Sequence, residues 1–138
     1  MRSFFDTNIL VYLFDNDAPE KQAVAEALVT KEAASGQLVI STQVLQELYV
    51  TLTRKLSEPL PEEDAEQVIQ NFSSFPVVGI DTRHIQGAIS RSRLFRFSFW
   101  DALIIESAIT SGAQTLYTED LQAGQQIETL LIKNPFLM

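Results

Sequence analysis

The stretch FFDTNILVYLF, residues 4–14, runs from an apolar segment through a turn into a helical pattern, and Asp6 stands at the junction. An ionised carboxylate is costly to bury without a partner. Asp6 is therefore expected to form an Asx-turn, to cap the helix that begins near Asn8, or to hold a metal ion. This stretch alone leaves these interpretations open.

Short apolar segments like the one before Asp6 recur between longer helical patterns. The candidate strands are SFFD at 3–6, LVIS at 38–41, VVGI at 77–80, TLYT at 115–118 and LLI at 130–132. The helical windows lie at 8–14, 19–34, 43–57, 61–72, 82–95 and 100–111. This alternation predicts an α/β fold, in which a five-stranded, mainly parallel sheet is covered by helices on both faces.

The composition is that of an ordinary globular protein, and we expect one domain spanning residues 1–138. The chain is 46% hydrophobic and 20% charged, and a domain of this size buries about two-thirds of its unfolded surface. The absence of cysteine excludes disulfides, thiol catalysis and Cys-type zinc sites. No apolar segment approaches the ~18 residues that span a bilayer, and the run at 9–14 is too short for a signal segment. We therefore expect a cytoplasmic protein without membrane association.

The net charge of −8 argues against a nucleic-acid partner, because phosphate binding is mainly cationic. The segment 82–100 differs from the rest of the chain. Its four arginines and lack of acidic residues give it +4, so the remainder carries −12. The segment is either an exposed helix face with solvated arginines or a local basic stripe that binds RNA.

The RNA-binding interpretation of this segment assigns separate roles to its basic and aromatic residues. The candidate phosphate-binding residues are Arg91, Arg93 and Arg96. Phe97, Phe99 and Trp100 offer surfaces on which unpaired bases stack. Core packing is the favoured interpretation of Phe99 and Trp100, because both adjoin an apolar helix.

Acidic residues follow two of the predicted strands. Asp6 ends the first strand, and Thr118, Glu119 and Asp120 end the fourth. Ligands of parallel sheets bind outside the carboxyl ends of the strands, so we expect these groups at one edge of the sheet. Asp120 also fits the start of a short helix, and Glu119 competes with it for any role.

Two further acidic residues lie within helical windows. Asp101 opens a helix that is apolar on nearly every side, which predicts a buried position or one at the helix mouth. Ser98, three residues earlier, gives Asp101 an alternative role in a capping box. Glu47 falls well off the buried stripe of its helix, and periodicity alone predicts a solvated side chain.

Taken in chain order, these residues resemble the PIN-domain nucleases, and the compact chain looks like the VapC-like toxin of a type II toxin–antitoxin pair. The resemblance covers residues 3–132. The features that carry it are Asp6-Thr7-Asn8 after the first strand, Glu47 in the helix after the second, Trp100-Asp101-Ala102 opening an apolar helix, and Thr118-Glu119-Asp120 after the fourth strand.

This resemblance implies a three-layer α/β/α sandwich and an endoribonuclease that depends on Mg²⁺ or Mn²⁺. It implies a catalytic and metal-binding set of acidic residues, with Asn8 and Thr118 as supporting polar groups. The acidic set is Asp6, Glu47, Asp101 and Asp120. It also implies a homodimer silenced by a cognate antitoxin. A catalytically silent binding module of the same fold is an alternative.

The residue types suit a metal-dependent reaction on phosphodiesters. Mg²⁺ and Mn²⁺ select oxygen ligands, and carboxylates brought together without a cation repel one another. Ribonucleases that use histidine as acid and base generally need two, and His84 is the only histidine in the chain. The metal route is therefore favoured.

A phosphorelay receiver domain is the alternative from another functional class, because it is also a parallel α/β unit with acidic residues at strand ends. Asp81, Thr118 and Lys133 would then be the acceptor, the hydroxyl and the lysine. Against this interpretation, the first strand ends in a single aspartate rather than an acidic pair, and Asp101 has no role in it.

Overall fold

The computed structural model describes residues 1–137, which form a six-stranded sheet flanked by helices. The strands are β1 (Ser3–Phe5), β2 (Leu38–Ser41), β3 (Val77–Val78), β4 (Thr115–Tyr117), β5 (Gln126–Ile127) and β6 (Leu130–Lys133). Their order across the sheet is β3-β2-β1-β4-β6-β5. The three-layer α/β/α fold is therefore confirmed, with a sheet that is parallel except at one edge.

The prediction of five strands is wrong by one, because β5 was not foreseen. This strand pairs antiparallel with β6, and Glu128 in the connecting turn has a φ of 55°. β5 has only two residues, one exposed and one buried, so it is too short to produce a recognisable period. β3 is also shorter than the predicted segment at 77–80.

The helices follow the predicted windows closely. They are α1 (Thr7–Val11), α2 (Pro19–Ala34), α3 (Thr42–Val50), α4 (Glu62–Phe72), α5 (Thr82–Phe95) and α6 (Phe99–Thr110). Two windows are divided: a 3₁₀ turn at Tyr12–Phe14 follows α1, and a π-helical turn at Thr51–Lys55 follows α3. No helix among residues 1–137 has the length and apolar character needed to cross a membrane.

The central strands are buried on both faces, as expected for parallel strands covered by helices on either side. Every residue of β1 and β2 is buried, and Phe4, Phe5 and Ile40 are fully enclosed. The apolar helix α6 buries six of its twelve residues, which explains why it shows no polar face over most of its length. These elements form the rigid frame beneath the carboxyl ends of β1 and β4.

The strand order excludes the receiver alternative. Receiver domains have the order 2-1-3-4-5, which places the third strand inside the sheet, whereas β3 here lies at the edge. Asp81 is half-exposed, and its carboxylate accepts hydrogen bonds from the backbone N–H groups of Arg83 and His84. Asp81 therefore caps α5.

The chain reverses direction across the sheet between β1 and β4. From β1 it continues to β2 and β3 on one side, and then it crosses to β4 on the other. β1 and β4 are parallel neighbours, with Phe5 opposite Tyr117. Such a switch point leaves a crevice at the carboxyl ends of the two strands, where ligands of α/β proteins bind.

Candidate active site

Asp6 lies in the crevice at this switch point, and its two carboxylate oxygens have different partners. Oδ1 accepts a hydrogen bond from the backbone N–H of Thr7 at 2.7 Å, which caps α1. Oδ2 accepts a hydrogen bond from the hydroxyl of Thr118 at 2.8 Å. Asp6 is only 6% exposed. The capping interpretation is therefore correct, and it leaves the carboxylate at the crevice.

Thr118 connects the polar groups around Asp6. Its hydroxyl is completely buried, and its oxygen accepts hydrogen bonds from the backbone N–H of Asp120 at 3.1 Å and from the amide of Asn8 at 3.4 Å. Asn8 and Thr118, the predicted supporting polar groups, thus lie beside Asp6.

Glu47 is half-buried and faces the same crevice, so the prediction of a solvated glutamate is wrong. Its Oε1 accepts a hydrogen bond from the hydroxyl of Thr7 at 2.6 Å, and its Oε2 accepts one from the amide of Gln43 at 3.3 Å. The physical reason is that α1 packs across α3. This packing covers a flank of the helix that periodicity assigns to solvent.

Asp101 lies at the mouth of α6, as predicted. Its backbone N–H donates to the hydroxyl oxygen of Ser98 at 3.0 Å, which confirms Ser98 as the N-cap. The Asp101 side chain is half-buried and lines the crevice. Gln43 ties this end of α6 to α3, since its amide also donates to the carbonyl of Trp100 at 3.3 Å.

The structure distinguishes the two acidic residues that follow β4. Glu119 accepts a hydrogen bond from the Tyr12 hydroxyl at 2.6 Å and forms an ion pair with Lys21 at 2.9 Å. The Lys21 ammonium also lies over the rings of Tyr12 and Phe136 at 5.0 and 5.2 Å. Asp120 has no side-chain partner among the described residues. Its carboxylate is therefore the one at this strand end that is free to act in the crevice.

The crevice is a cavity of about 640 Å³, here called the acidic pocket. Its charged lining residues are Asp6, Asp15, Glu47, Asp101, Glu119, Asp120 and Lys55. We call Asp6, Glu47, Asp101 and Asp120 the acidic cluster. Within residues 1–137, none of these four carboxylates forms an ion pair. Their negative charge is therefore not compensated by any described side chain.

Burial and nearby negative charges raise the pKa of two members of the acidic cluster, Asp6 and Asp101. Burial raises the pKa of Asp6 to about 7, the hydrogen bonds from Thr118 and Thr7 oppose this shift, and the charges of Asp120 and Glu47 add to it. Burial also raises the pKa of Asp101, again with contributions from Asp120 and Glu47. The carboxylates thus interact electrostatically, although they come from separate parts of the chain. A cation placed among them would offset their repulsion and favour their ionised forms.

The residues present fit a hard divalent cation. The carboxylates of the acidic cluster supply oxygen ligands, and two side-chain carbonyl oxygens nearby, Asn8 Oδ1 and Gln43 Oε1, are buried without a hydrogen-bond donor. Among residues 1–137, no three acidic or histidine side chains converge closely enough to hold a metal by themselves. Mg²⁺ usually takes one or two carboxylates directly and keeps several of its waters, so it does not require three converging side chains.

The arginines predicted to bind RNA lie outside the acidic pocket. Arg91 forms ion pairs with Glu106 at 3.0 Å and Glu128 at 2.7 Å, and its side chain is only 12% exposed. These partners hold the guanidinium in place and argue against a phosphate-binding role. Arg93 and Arg96 are exposed, and Arg96 ends α5 in the left-handed conformation.

Core packing, predicted for Phe99 and Trp100, holds for only one of them. Phe99 is half-buried and packs against a small cluster formed by Ala88, Ala102 and Leu103. Trp100 is 61% exposed and lines the acidic pocket. On α6, adjacent positions point in different directions, so a buried residue has an exposed neighbour.

Sequence reasoning missed several polar residues of the pocket, among them Thr7, Gln43 and Lys55. Thr7 and Gln43 position Glu47, and Lys55 is the one cation among the lining residues. Gln43 lies one helical turn before Glu47, so the spacing of four residues was a signal for their contact. The sequence contains no comparable signal for Thr7 or Lys55.

Comparison with known proteins identifies relatives of this architecture. The family model described as the PIN domain matches residues 3–125. No curated protein matches the chain. Among solved structures, a toxin–antitoxin complex from Klebsiella pneumoniae aligns with a TM-score of 0.71 and 20% identity over 96% of this chain and 97% of the other.

Two further structures align over most of their length. VapBC2 from Rickettsia felis, bound to a DNA fragment from its promoter, has a TM-score of 0.68 and 23% identity over 97% of this chain and 98% of the other. VapC20 from Mycobacterium tuberculosis, a toxin that cleaves the sarcin-ricin loop, has a TM-score of 0.62 and 20% identity over 86% and 91%. At such identities, these matches establish a shared fold.

Proposed function

The chain belongs to the PIN domain family, and from this premise we propose that it is a Mg²⁺- or Mn²⁺-dependent endoribonuclease, the toxin of a toxin–antitoxin pair. The observation that carries the proposal is the acidic cluster at the switch point. Its carboxylates line one cavity and lack cationic partners among residues 1–137. A pocket that only stabilised the fold would pair these charges, because uncompensated carboxylates in a partly buried site cost free energy.

The proposal gives the members of the cluster different roles. Asp6 and Asp101 hold the cation directly, and Glu47 and Asp120 orient water or complete a second cation site. Thr118 holds Asp6 in position through its hydrogen bond, and Asn8 supports Thr118 by donating to the Thr118 hydroxyl oxygen. Thr7 and Gln43 orient Glu47 in the same way.

When bound, a divalent cation would offset charge on the phosphoryl oxygens and lower the pKa of a water molecule, the two requirements of phosphodiester hydrolysis. The protein's own contribution is to hold three of the four carboxylates on rigid elements that fix their directions. Asp6 leaves a buried strand, Asp101 opens a buried helix, and Glu47 is clamped by two hydrogen bonds. Such fixed geometry reduces the reorganisation required during the reaction.

The assignment as a toxin rests on the matched structures. Those from K. pneumoniae and R. felis are toxin–antitoxin assemblies, and the M. tuberculosis protein is a toxin that cleaves the sarcin-ricin loop. All three align over at least 86% of this chain. By this analogy we propose a cytoplasmic homodimer, built from one PIN domain per chain over residues 1–138, that a cognate antitoxin silences.

The test is a calorimetric titration of Mn²⁺ into the wild type, Asp6→Asn and Asp101→Asn, followed by a cleavage assay on single-stranded RNA. Asp64→Asn is the matched control, because it makes the same chemical change on the exposed first turn of α4. Circular dichroism verifies that each variant is folded.

We expect Asp6→Asn and Asp101→Asn to lose Mn²⁺ binding and RNA cleavage together, while Asp64→Asn retains both. Retention of Mn²⁺ binding in folded Asp101→Asn would contradict the shared site. Binding of Mn²⁺ and RNA by the wild type without cleavage would instead indicate the catalytically silent module.

A further inference from the structure

Lys55 differs from every other charged residue of the acidic pocket. It is the single cation among the lining residues, which include six acidic side chains. Its side chain is exposed and forms no ion pair within residues 1–137. Lys55 is thus available to bind an anion at the edge of a pocket that otherwise repels anions.

The local backbone explains how Lys55 reaches the pocket. It ends the π-helical turn Thr51–Lys55 that continues α3. π-Helical turns alter the direction in which following side chains project, and they occur frequently at functional sites. The neighbouring Arg54 is also exposed, but it does not line the pocket. The two adjacent cations therefore have different environments.

Trp100 is the exposed aromatic residue of the pocket wall, where the other lining aromatic residue, Tyr12, is partly buried. Its indole is 61% exposed, and tryptophan is a residue type enriched at binding interfaces because it offers a large apolar surface with one polar group. The ring packs edge-on against Phe99 at 5.0 Å, and Gln43 holds the Trp100 carbonyl. The first contact orients the indole, the second holds the backbone of Trp100 against α3, and much of the ring surface remains accessible to a ligand.

The positions along α3 show how Trp100 and Lys55 are related. Gln43 contacts Trp100 at the start of α3, and Lys55 lies twelve residues further along the same helix and its π turn. An α-helix rises about 1.5 Å per residue, so Gln43 and Lys55 are at most about 18 Å apart along this axis. Glu47 lies between Gln43 and Lys55, so this side of the pocket has the aromatic surface of Trp100 near the start of α3, a carboxylate of the acidic cluster further along, and a cation at the end of the π turn.

We propose that Trp100 and Lys55 form a two-part subsite for single-stranded RNA, with an unpaired base stacked on Trp100 and a backbone phosphate bound by Lys55. The inference rests on the proposed nuclease function and adds the way in which the substrate strand is held across the acidic cluster. The stacked base must be unpaired, because the indole needs access to a base face. The subsite therefore selects single strands over duplexes.

The chain offers a direct optical probe of this subsite, because Trp100 is its only tryptophan. The experiment titrates a single-stranded RNA of about 12 nucleotides, within the span that single-strand-binding folds cover. Ca²⁺ replaces Mg²⁺ to slow cleavage, and a gel verifies that the RNA stays intact. Tryptophan fluorescence reports stacking in the wild type, and anisotropy of labelled RNA reports affinity in all variants.

The variants are Trp100→Leu and Lys55→Gln, each with a matched control. Phe95→Leu removes another exposed aromatic residue that does not line the pocket, and Arg54→Gln removes the neighbouring cation. All four positions are exposed, so the substitutions leave the core intact.

We expect RNA to quench the fluorescence of Trp100 and a duplex of the same sequence to have little effect. Trp100→Leu should weaken binding at least about fivefold, the equivalent of about 1 kcal/mol for one stacked base. Lys55→Gln should reduce the slope of log affinity against log salt by about 0.7, the effect of one phosphate that the protein no longer neutralises. Both controls should match the wild type.

The outcomes separate this subsite from the nuclease proposal. One outcome is that the wild type cleaves RNA while Trp100→Leu and Lys55→Gln retain its affinity, KM and salt slope. The subsite proposal would then be wrong, and the nuclease proposal would be supported. Single-strand binding that depends on both residues, without cleavage under Mg²⁺ or Mn²⁺, supports the subsite and contradicts the nuclease. If the wild type neither binds nor cleaves RNA, both proposals fail.

Discussion

The hydroxyl of Thr118 donates a hydrogen bond to Asp6 across the switch point, joining two residues that are 112 positions apart in the chain. It connects the carboxyl ends of β1 and β4 and is completely buried. The same oxygen accepts from the backbone N–H of Asp120. A single side chain thus links two members of the acidic cluster.

Replacement of Thr118 by valine tests this link, because it preserves the shape and removes the hydroxyl. We expect the free energy of unfolding at neutral pH to fall by about 1–3 kcal/mol, since the Asp120 N–H loses its acceptor and Asp6 a donor. Urea denaturation measures the change. Thr115→Val in the same strand is the control, because Thr115 makes no side-chain hydrogen bond among the described residues. Equal stability of the two variants would show that the link contributes little.

The stability of the metal-free protein should depend on pH through Asp6. Its pKa is about 7 in the folded state against an ordinary value of 3.8, so the folded protein holds this proton more tightly than the unfolded chain. Stability therefore falls as pH rises from about 4 to about 7, by an amount on the order of a few kcal/mol, and levels off above that. Asp6→Asn should flatten this part of the profile. Thermal unfolding in the presence of a chelator measures it, and parallel profiles for both proteins would refute the assignment.

The two acidic residues after β4 should behave differently when neutralised. Asp120→Asn is expected to weaken Mn²⁺ binding or RNA cleavage about 10- to 100-fold, the usual cost of losing a residue that supports a metal site. Glu119→Gln removes the ion pair with Lys21, which is partly exposed and contributes about 0–1 kcal/mol of stability. Its cleavage rate should stay near that of the wild type. The reverse order of the two effects would identify Glu119 as the fourth acidic residue.

Arg91 should matter for stability rather than for RNA. Arg91→Met leaves Glu106, which is 15% exposed, without its cation, and we expect a loss of about 3 kcal/mol in the free energy of unfolding. Arg93→Met, two residues further along α5 and exposed, is the control and should change stability little. Chemical denaturation of both variants decides the matter, and equal stabilities would contradict the role inferred from the ion pairs.

The exposed arginines at the end of α5 can still bind RNA outside the acidic pocket. Replacement of Arg93 and Arg96 by alanine should weaken RNA binding and reduce its salt dependence, because the slope falls by about 0.7 for each phosphate that is no longer neutralised. Affinity measured over a range of salt concentrations tests this expectation. An unchanged slope would leave the basic stripe as a solvated helix face.

Local patterns predicted most of the fold. The windows at 19–34 and 82–95 have the same bounds as α2 and α5, because proline and cap residues mark helix ends within a few positions of themselves. The extra strand β5 escaped prediction because its two residues owe their conformation to pairing with β6. Pairing of this kind depends on the partner strand and has no local period.

The candidate site was predictable to a different degree for each residue. Asp6 and Asp101 are marked by an adjacent strand end and an apolar helix, both of which are local features. Glu47 has no such mark, and the contact with Thr7 that turns it toward the pocket joins residues 40 positions apart. Only the resemblance to a known family selected Glu47 in advance.

The sequence by itself determined the order of strands and helices and the positions of the acidic residues along them, because periodicity, caps and turns act over a few neighbouring residues. The tertiary structure alone decided which partner each charged side chain has and which side chains reach the pocket. It pairs Glu119 with Tyr12 over 107 positions, joins Arg91 to Glu128 over 37, and exposes Trp100 at the pocket. These contacts form only when distant elements pack together, so no local pattern encodes them.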